Sequence, residues 1–290
     1  LEFWPHLDEI DLFCFPDCGN SGLQLHLESL GKAVWGSRRG DRLELGREYF
    51  MERLGDVGLS VPKFEVVIGL DALREHLKDR EDVYVKVSRW RGDFETFHWR
   101  TWKMDQEWLD WLGVNFGPVE KLIHFLVFDA IDTDLEIGGD TYCVDGGWPA
   151  LMLNGVEGKD KTYFSAVTKR EAMPEQIQEI FNAMSDELRN TRYRNQISFE
   201  DRVVGDEHFY IDATQRGGMP SSCSQYKLWR NFPQIVWSGA NGELVDPDPG
   251  AMFSIECQIT CKCEKDVWVT VELPEELVEH CNFSYCGYLD

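Results

Sequence analysis

The stretch QISFEDRVVGDEHFYIDATQRGG (196–218) decides the reading of this chain. Two runs with β-like alternation flank Gly205-Asp206, a pair suited to a tight turn. Glu200 sits on the first run and Asp212 on the second. Thr214 shares the parity of Asp212, and so does Arg216 if the strand continues. Two strands that present carboxylates side by side form a solvated hairpin, or they hold a divalent cation. Mg²⁺ takes hard oxygen ligands, keeps several waters and is commonly held by one or two carboxylates plus substrate phosphates. In so acidic a chain two acids at this spacing are common, so the remaining sequence has to decide between the two.

The chain has 290 residues, enough for two or three small lobes, and its 43% hydrophobic content supplies a sizeable core. Acids outnumber Lys and Arg by 52 to 29, a formal charge of −23, which argues against a bulk nucleic-acid binder and against an anionic membrane surface. A polyanionic ligand therefore has to meet a local basic pocket or arrive with metal ions. No apolar run approaches the roughly 20 residues of a membrane span. The nearest, LIHFLVFDAI (122–131), carries His124 and Asp129. The opening LEFWPHLDEIDLF lacks the basic start and apolar stretch of a signal peptide, so a cytoplasmic location is expected. Cys257, Cys261 and Cys263, with Cys281 and Cys286, could offer thiolates to zinc, but their spacing is not that of a ribbon or finger. Reduced thiols on strands are the plainer reading.

Along the chain, DLFCF (11–15), the loop PDCGNSG (16–22), the helical LQLHLESLG (23–31) and KAVWGS (32–37) read as a β-loop-α-β opening. No GxGxxG is present, so the dinucleotide fingerprint is absent. KFEVVIG (63–69) predicts a strand and LDALREHLKDR (70–80) a helix. VYVKVSRW (83–90) alternates strongly, with Lys86 between valines and the loop RWRGDFETF (89–97) downstream. Lys86 is then either a surface residue on the wet face of a sheet or an ammonium that reaches nucleotide phosphates. In the second case Arg89, Arg91 and the backbone at Gly92 would bind phosphate oxygens as the loop covers them. HFLVFDAID (124–132) and GDTYCVDGGWP (139–149) read as strands. PEQIQEIFNAMSDELRNT (174–191) is an amphipathic helix with Ile177, Ile180, Phe181, Met184 and Leu188 on one face. NGELVDPDPG (241–250) is the best linker candidate, and a small β-rich segment follows it.

This order of elements over about residues 10–250 resembles the ATP-grasp superfamily, and within it the glycinamide ribonucleotide synthetase-like ligases and their phage-borne relatives. The resemblance implies a mixed α+β / α/β fold. Its parts would be an N-terminal α/β pre-grasp lobe (1–45), two α+β subdomains sandwiching the nucleotide (46–125 and 126–240), and a linker with a β-rich appendage (241–290). It implies ATP with Mg²⁺, or Mn²⁺ in its place. Lys86 matches the lysine before the glycine loop, and Val127, Phe128 and Asp129 would border adenine. Glu136 best matches the acid on the ribose hydroxyls, with Asp134 and Asp140 as alternative alignments, and Lys159 or Lys161 would add a phosphate contact. The family's Glu-x-Asn-x-Arg run matches Asp212, Thr214 and Arg216, with Glu200 as the other metal acid. Asp212 and Thr214 depart from the family's Glu and Asn, and a hydroxyl is a poorer metal ligand than an amide carbonyl.

The implied reaction is carboxylate–amine ligation through an acyl phosphate, with Lys86 and Arg216 stabilising phosphoryl transfer. Asp17, Asn20 and Ser21 in the first loop, Arg38 or Arg39, and Arg216 would face the acceptor substrate. Partners would be small-molecule or peptide carboxylates and amines, with no nucleic acid and no membrane, and a homodimer is compatible. The rival expectations are a catalytically reduced ATP-grasp-like protein with a regulatory or scaffold role, and a zinc-bearing interaction module at the C-terminal cysteines.

Overall fold

The computed structural model describes residues 3–89, 95–133, 135–158, 162–219, 221–257 and 272–281. The strands β1 (Leu12–Cys14) and β2 (Ala33–Trp35) pair in parallel around α1 (Ser21–Ser29), as the opening pattern predicts. The short α2 (Arg42–Leu45) and α3 (Arg47–Asp56) lead into the next unit. There β3 (Phe64–Ile68), α4 (Leu70–Leu77), β4 (Val83–Val87), β5 (Thr96–Trp99), α5 (Trp102–Phe116) and β6 (His124–Asp129) succeed one another. Their strands form an antiparallel sheet in the order β3-β6-β4-β5.

The larger sheet draws on β7 (Glu136–Val144), β8 (Leu151–Gly158), β9 (Thr162–Lys169), then α6 (Glu175–Asn190), then β10 (Arg194–Val204) and β11 (Glu207–Thr214). After α7 (Ser221–Leu228) and α8 (Phe232–Ala240), β12 (Phe253–Cys257) closes its far edge. The order β11-β10-β7-β8-β9-β12 is antiparallel throughout. No helix among the described residues is long and apolar enough to cross a membrane.

The two-residue period of β4 sets the relation between the sheets. Val83, Val85 and Val87 point to one face and pack with Leu70, Leu73 and Leu77 of α4 and Leu109, Leu112 and Phe116 of α5. Tyr84 and Lys86 point to the other face, beside Leu126 and Phe128 of β6. That face meets the large sheet: Leu126 and Phe128 belong to the same core as Ile137, Ile197, Phe199 and Tyr210. Lys86 is therefore between the sheets, 9% exposed, and not on a wet face.

Two segments lie differently from their expected places. β6 is wholly part of the small sheet, so its residues 126–129 group with 64–99. Residues 241–257 do not hang free. Tyr142 donates its hydroxyl to the Val245 carbonyl, Asp246 accepts from the Ala150 amide at 2.7 Å, and β12 pairs with β9.

The helix α6 lays its predicted stripe, Ile177, Ile180, Phe181, Met184 and Leu188, on β7 and β10. Gly139 of β7 permits this approach. A Cβ there would stand 2.5 Å from Ile177 Cγ2 and 2.7 Å from Phe181 Cε2. Overpacking a filled core costs about 1–3 kcal/mol. Gly139→Ala is expected to lower unfolding free energy by that amount, read from the urea midpoint at unchanged slope.

Candidate functional site

The hairpin quoted at the outset forms as expected, turning at Gly205, which has φ +61°. Glu200 and Asp212 are direct cross-strand partners, so their side chains leave the same face of the large sheet. The register shifts just after this pair, between Glu200 and Asp201. A bulge beside two acids re-aims the strand at the place where they meet.

Two elements converge on Asp212. Lys86 Nζ, from the small sheet, donates to Asp212 Oδ2 at 3.0 Å and to the Ile211 carbonyl at 2.7 Å. Arg47 Nη1, from the start of α3, donates to both carboxylate oxygens at 3.0 Å. Arg47 Nη2 also stands 3.8 Å from Glu95, the residue just before β5. Burial by itself would raise the Asp212 carboxyl, but Arg47 and Lys86 outweigh it and hold the group well below the usual carboxylate range. Glu200 goes the other way. Desolvation, then the neighbouring charges of Asp212, Glu136 and Glu157, raise it well above an ordinary glutamate, against the opposing charge of Lys86.

Two cavities share this floor. A cleft of about 230 Å³ between the sheets is lined by Tyr84, Lys86, Phe128, Glu200, Arg202 and Asp212 among others. A small chamber of about 30 Å³ adjoins it over the large sheet, with Asp140, Ser198, Thr214 and Ser221 in its wall. Glu136, Glu157 and Glu200 line both. Among the described residues no three His, Cys, Asp or Glu side chains gather closely enough to hold a metal alone. Among the described residues Glu200 has no side-chain hydrogen-bond partner, and its repelled carboxylate beside Asp212 suits a divalent cation that completes its shell with phosphate and water.

No protein-family model and no curated protein sequence matches the chain. Solved structures do. Phosphoribosylamine–glycine ligase from Thermotoga maritima superposes with TM-score 0.60 at 14% identity, covering 80% of this chain and 63% of that one. Biotin carboxylase from Campylobacter jejuni, solved as a β,γ-ATP complex, gives 0.60 at 14% identity over 90% of this chain and 62% of its own. D-Alanine–D-alanine ligase from Helicobacter pylori gives 0.56 at 13%, with 77% and 68% covered. All three are ATP-grasp enzymes. This chain has the ATP-grasp fold. It spans less than two thirds of the first two of these chains.

Within the ATP-grasp frame the expected residues divide. Lys86, Phe128, Asp129, Glu136, Glu200 and Asp212 all line the cleft. Thr214 pairs with Ser198 and faces the smaller chamber beside Glu200. Val127 does not border the cleft: it is buried on the opposite face of β6 with Val85 and Phe125. Its backbone is also committed, because β6 is paired on both sides, to Glu65 of β3 and Val85 of β4. The strand pairing of β6 ends at Asp129, and Ile131 beyond it stands in the cleft wall.

Glu136 is held by Arg202 at 3.1 Å. Asp140, an alternative to it, is sequestered instead, bound by the hydroxyls of Tyr163, Ser198 and Ser221. Arg38 is a correction. It is fully buried, with its guanidinium on the Val34 and Gly36 carbonyls and on Glu28, so it braces the first lobe and faces no substrate. Arg39, Arg89 and Asn20 are exposed, and neither Asn20 nor Ser21 lines either cavity. Arg216 and Asp17 do come together: Arg216 Nε donates to Glu44 at 2.9 Å and stands 3.6 Å from Asp17. Gly217 donates its amide to the Pro16 carbonyl at 2.9 Å, docking the first loop on this turn.

Arg91, Gly92, Asp134, Lys159 and Lys161 lie outside the described residues. So do Cys261, Cys263 and Cys286, while Cys257 and Cys281 are exposed free thiols. Sequence reading missed Arg47, Glu44, Glu157 and Arg202. Arg47 is separated from Asp212 by 165 positions, beyond any local spacing rule.

The two acids predict opposite responses in the ligand-free protein. A carboxyl raised on folding loses stability as pH climbs above its unfolded value, about 4.3 for glutamate. Glu200→Gln is expected to melt above the parent at pH 7, by roughly 2–4 °C per kcal/mol of repulsion relieved, with the difference shrinking toward pH 4. Asp212→Asn leaves Arg47 buried without its carboxylate and is expected to cost about 3 kcal/mol. Thermal scans from pH 4 to 8 check both.

Proposed function

We propose that the protein is an ATP-dependent carboxylate–amine ligase. One observation carries this reading: Lys86 of the small sheet meets the Glu200–Asp212 pair of the large sheet in the wall of one cleft between the sheets. A lysine and paired acids are what a triphosphate with its cation needs on opposite sides. The base would sit between Tyr84 and Phe128 and the segment at Ile131, and the ribose would reach toward Glu136. Glu200 and Asp212 would hold Mg²⁺, which when bound neutralises charge on the phosphates.

The chain's own groups do the rest. Lys86, and Arg47 once released from Asp212, place positive charge at the phosphate end of the cleft. Arg216 is fixed through Nε by Glu44, and its Nη groups make no hydrogen bond with any described residue. They remain able to meet a carboxylate or the transferring phosphoryl group. A substrate carboxylate oxygen would bond to the γ-phosphorus while the bond to the bridging oxygen breaks and ADP leaves. The amine would then bond to the acyl carbon, losing a proton as inorganic phosphate departs. Carboxylate is already nucleophilic, so the first step needs position more than a base.

A second reading, nucleotide binding without turnover, is favoured by Thr214, which offers a hydroxyl where the family pattern has an amide. Calorimetric titration of ATP with Mg²⁺ tests the shared part. Binding is expected in the parent and at least about tenfold weaker in Lys86→Ala, with the Mg²⁺ dependence lost in Glu200→Ala. ADP release in a screen of carboxylate and amine pairs supports the ligase. Tight binding with no ADP from any pair supports the second reading, and no binding in the parent removes both.

A further inference from the structure

The residues that would hold the phosphates and the residue that would hold the metal are bound to each other. Lys86 Nζ takes Asp212 Oδ2 at 3.0 Å, and Arg47 Nη1 takes both oxygens at 3.0 Å. Both carboxylate oxygens are thus in charge-assisted bonds, the strongest class available to them. Lys86 is 9% exposed and Arg47 4% exposed, so neither is screened by bulk water. Glu200, directly across the ladder, has no such partner among the described residues. A divalent cation that enters without nucleotide meets two fixed positive charges on one of its two carboxylates.

We propose that Lys86 and Arg47 are an autoinhibitory plug: they occupy the metal-binding oxygens of Asp212 until the phosphates of a nucleotide draw them off. Metal and nucleotide then bind only as a pair. Phosphate oxygens offer both cations a new acceptor, and Asp212 is freed as the cation arrives. Lys86 belongs to the small sheet and Asp212 to the large one, so the same contact ties the two sheets together in the empty protein. The coupling is reciprocal: the factor by which ATP raises metal affinity is the factor by which metal raises ATP affinity. This inference rests on the Mg-ATP reading of the site.

The test is Mn²⁺ binding followed by electron paramagnetic resonance, without and with ATP. It uses the full chain as parent, Lys86→Met, Arg47→Met and the double variant Lys86→Met, Glu200→Gln. Without ATP the parent is expected to bind Mn²⁺ weakly and Lys86→Met about tenfold more tightly or better. ATP should enhance Mn²⁺ binding strongly in the parent and less in Lys86→Met. The gain should vanish in the double variant, which places the ion at Glu200. Arg47→Met is expected to act in the same direction, and if thermal scans show it unfolded, Lys86→Met decides alone. Equal Mn²⁺ affinity in ATP-free parent and Lys86→Met overturns the plug while leaving the Mg-ATP reading standing. No Mn²⁺ binding by the parent even with ATP overturns that reading and the plug with it.

Discussion

The ion cluster at Asp212 is the constraint on which the rest of the site depends. It joins α3, the small sheet and the large sheet through one carboxylate, with Arg47 and Lys86 each about 3 Å away. Removing charges from water costs several kcal/mol per ion unless each finds a partner. Here each does, and the geometry that satisfies them also fixes the separation of the sheets.

Lys86 reaches that point through the simplest rule of β structure. Its valine neighbours fill the small sheet's own core, so the lysine is forced onto the face that meets the large sheet. Asp212 reaches it through the hairpin, whose register sets it opposite Glu200. The outcome is an asymmetric pair of acids, one saturated with cations and one surrounded by other acids. Equal residue types thus acquire unequal ionisation from position alone. The chain's overall excess of acid says nothing of this, because what matters is which few charges share an enclosed cleft.

The corrections have a common cause. Arg38 looked available because a sequence shows a basic residue near a loop but not where its side chain is spent. In the fold it satisfies the Val34 and Gly36 carbonyls and Glu28, and a guanidinium so committed stays where it is. The family resemblance puts the backbone at Val127 beside the base, yet β6 is paired on both sides there and its alternation sends the Val127 side chain into the core. Asp140 is an acid among acids in the sequence and a sequestered, hydroxyl-bound group in the structure.

By itself the sequence determined what local periodicity and turn chemistry can encode. The valine alternation around Lys86, the α6 stripe and the Gly205 turn that sets Glu200 against Asp212 are all short-range patterns, and all are present in the fold. Only the tertiary structure decided which distant charges meet. Arg47 and Asp212 are brought together by the packing of α3 against the large sheet, and Arg216 and Glu44 by the docking of α2 on β11. Such pairings depend on how whole elements stack, and the energy that selects them is shared over the entire core. No spacing within one segment carries that information.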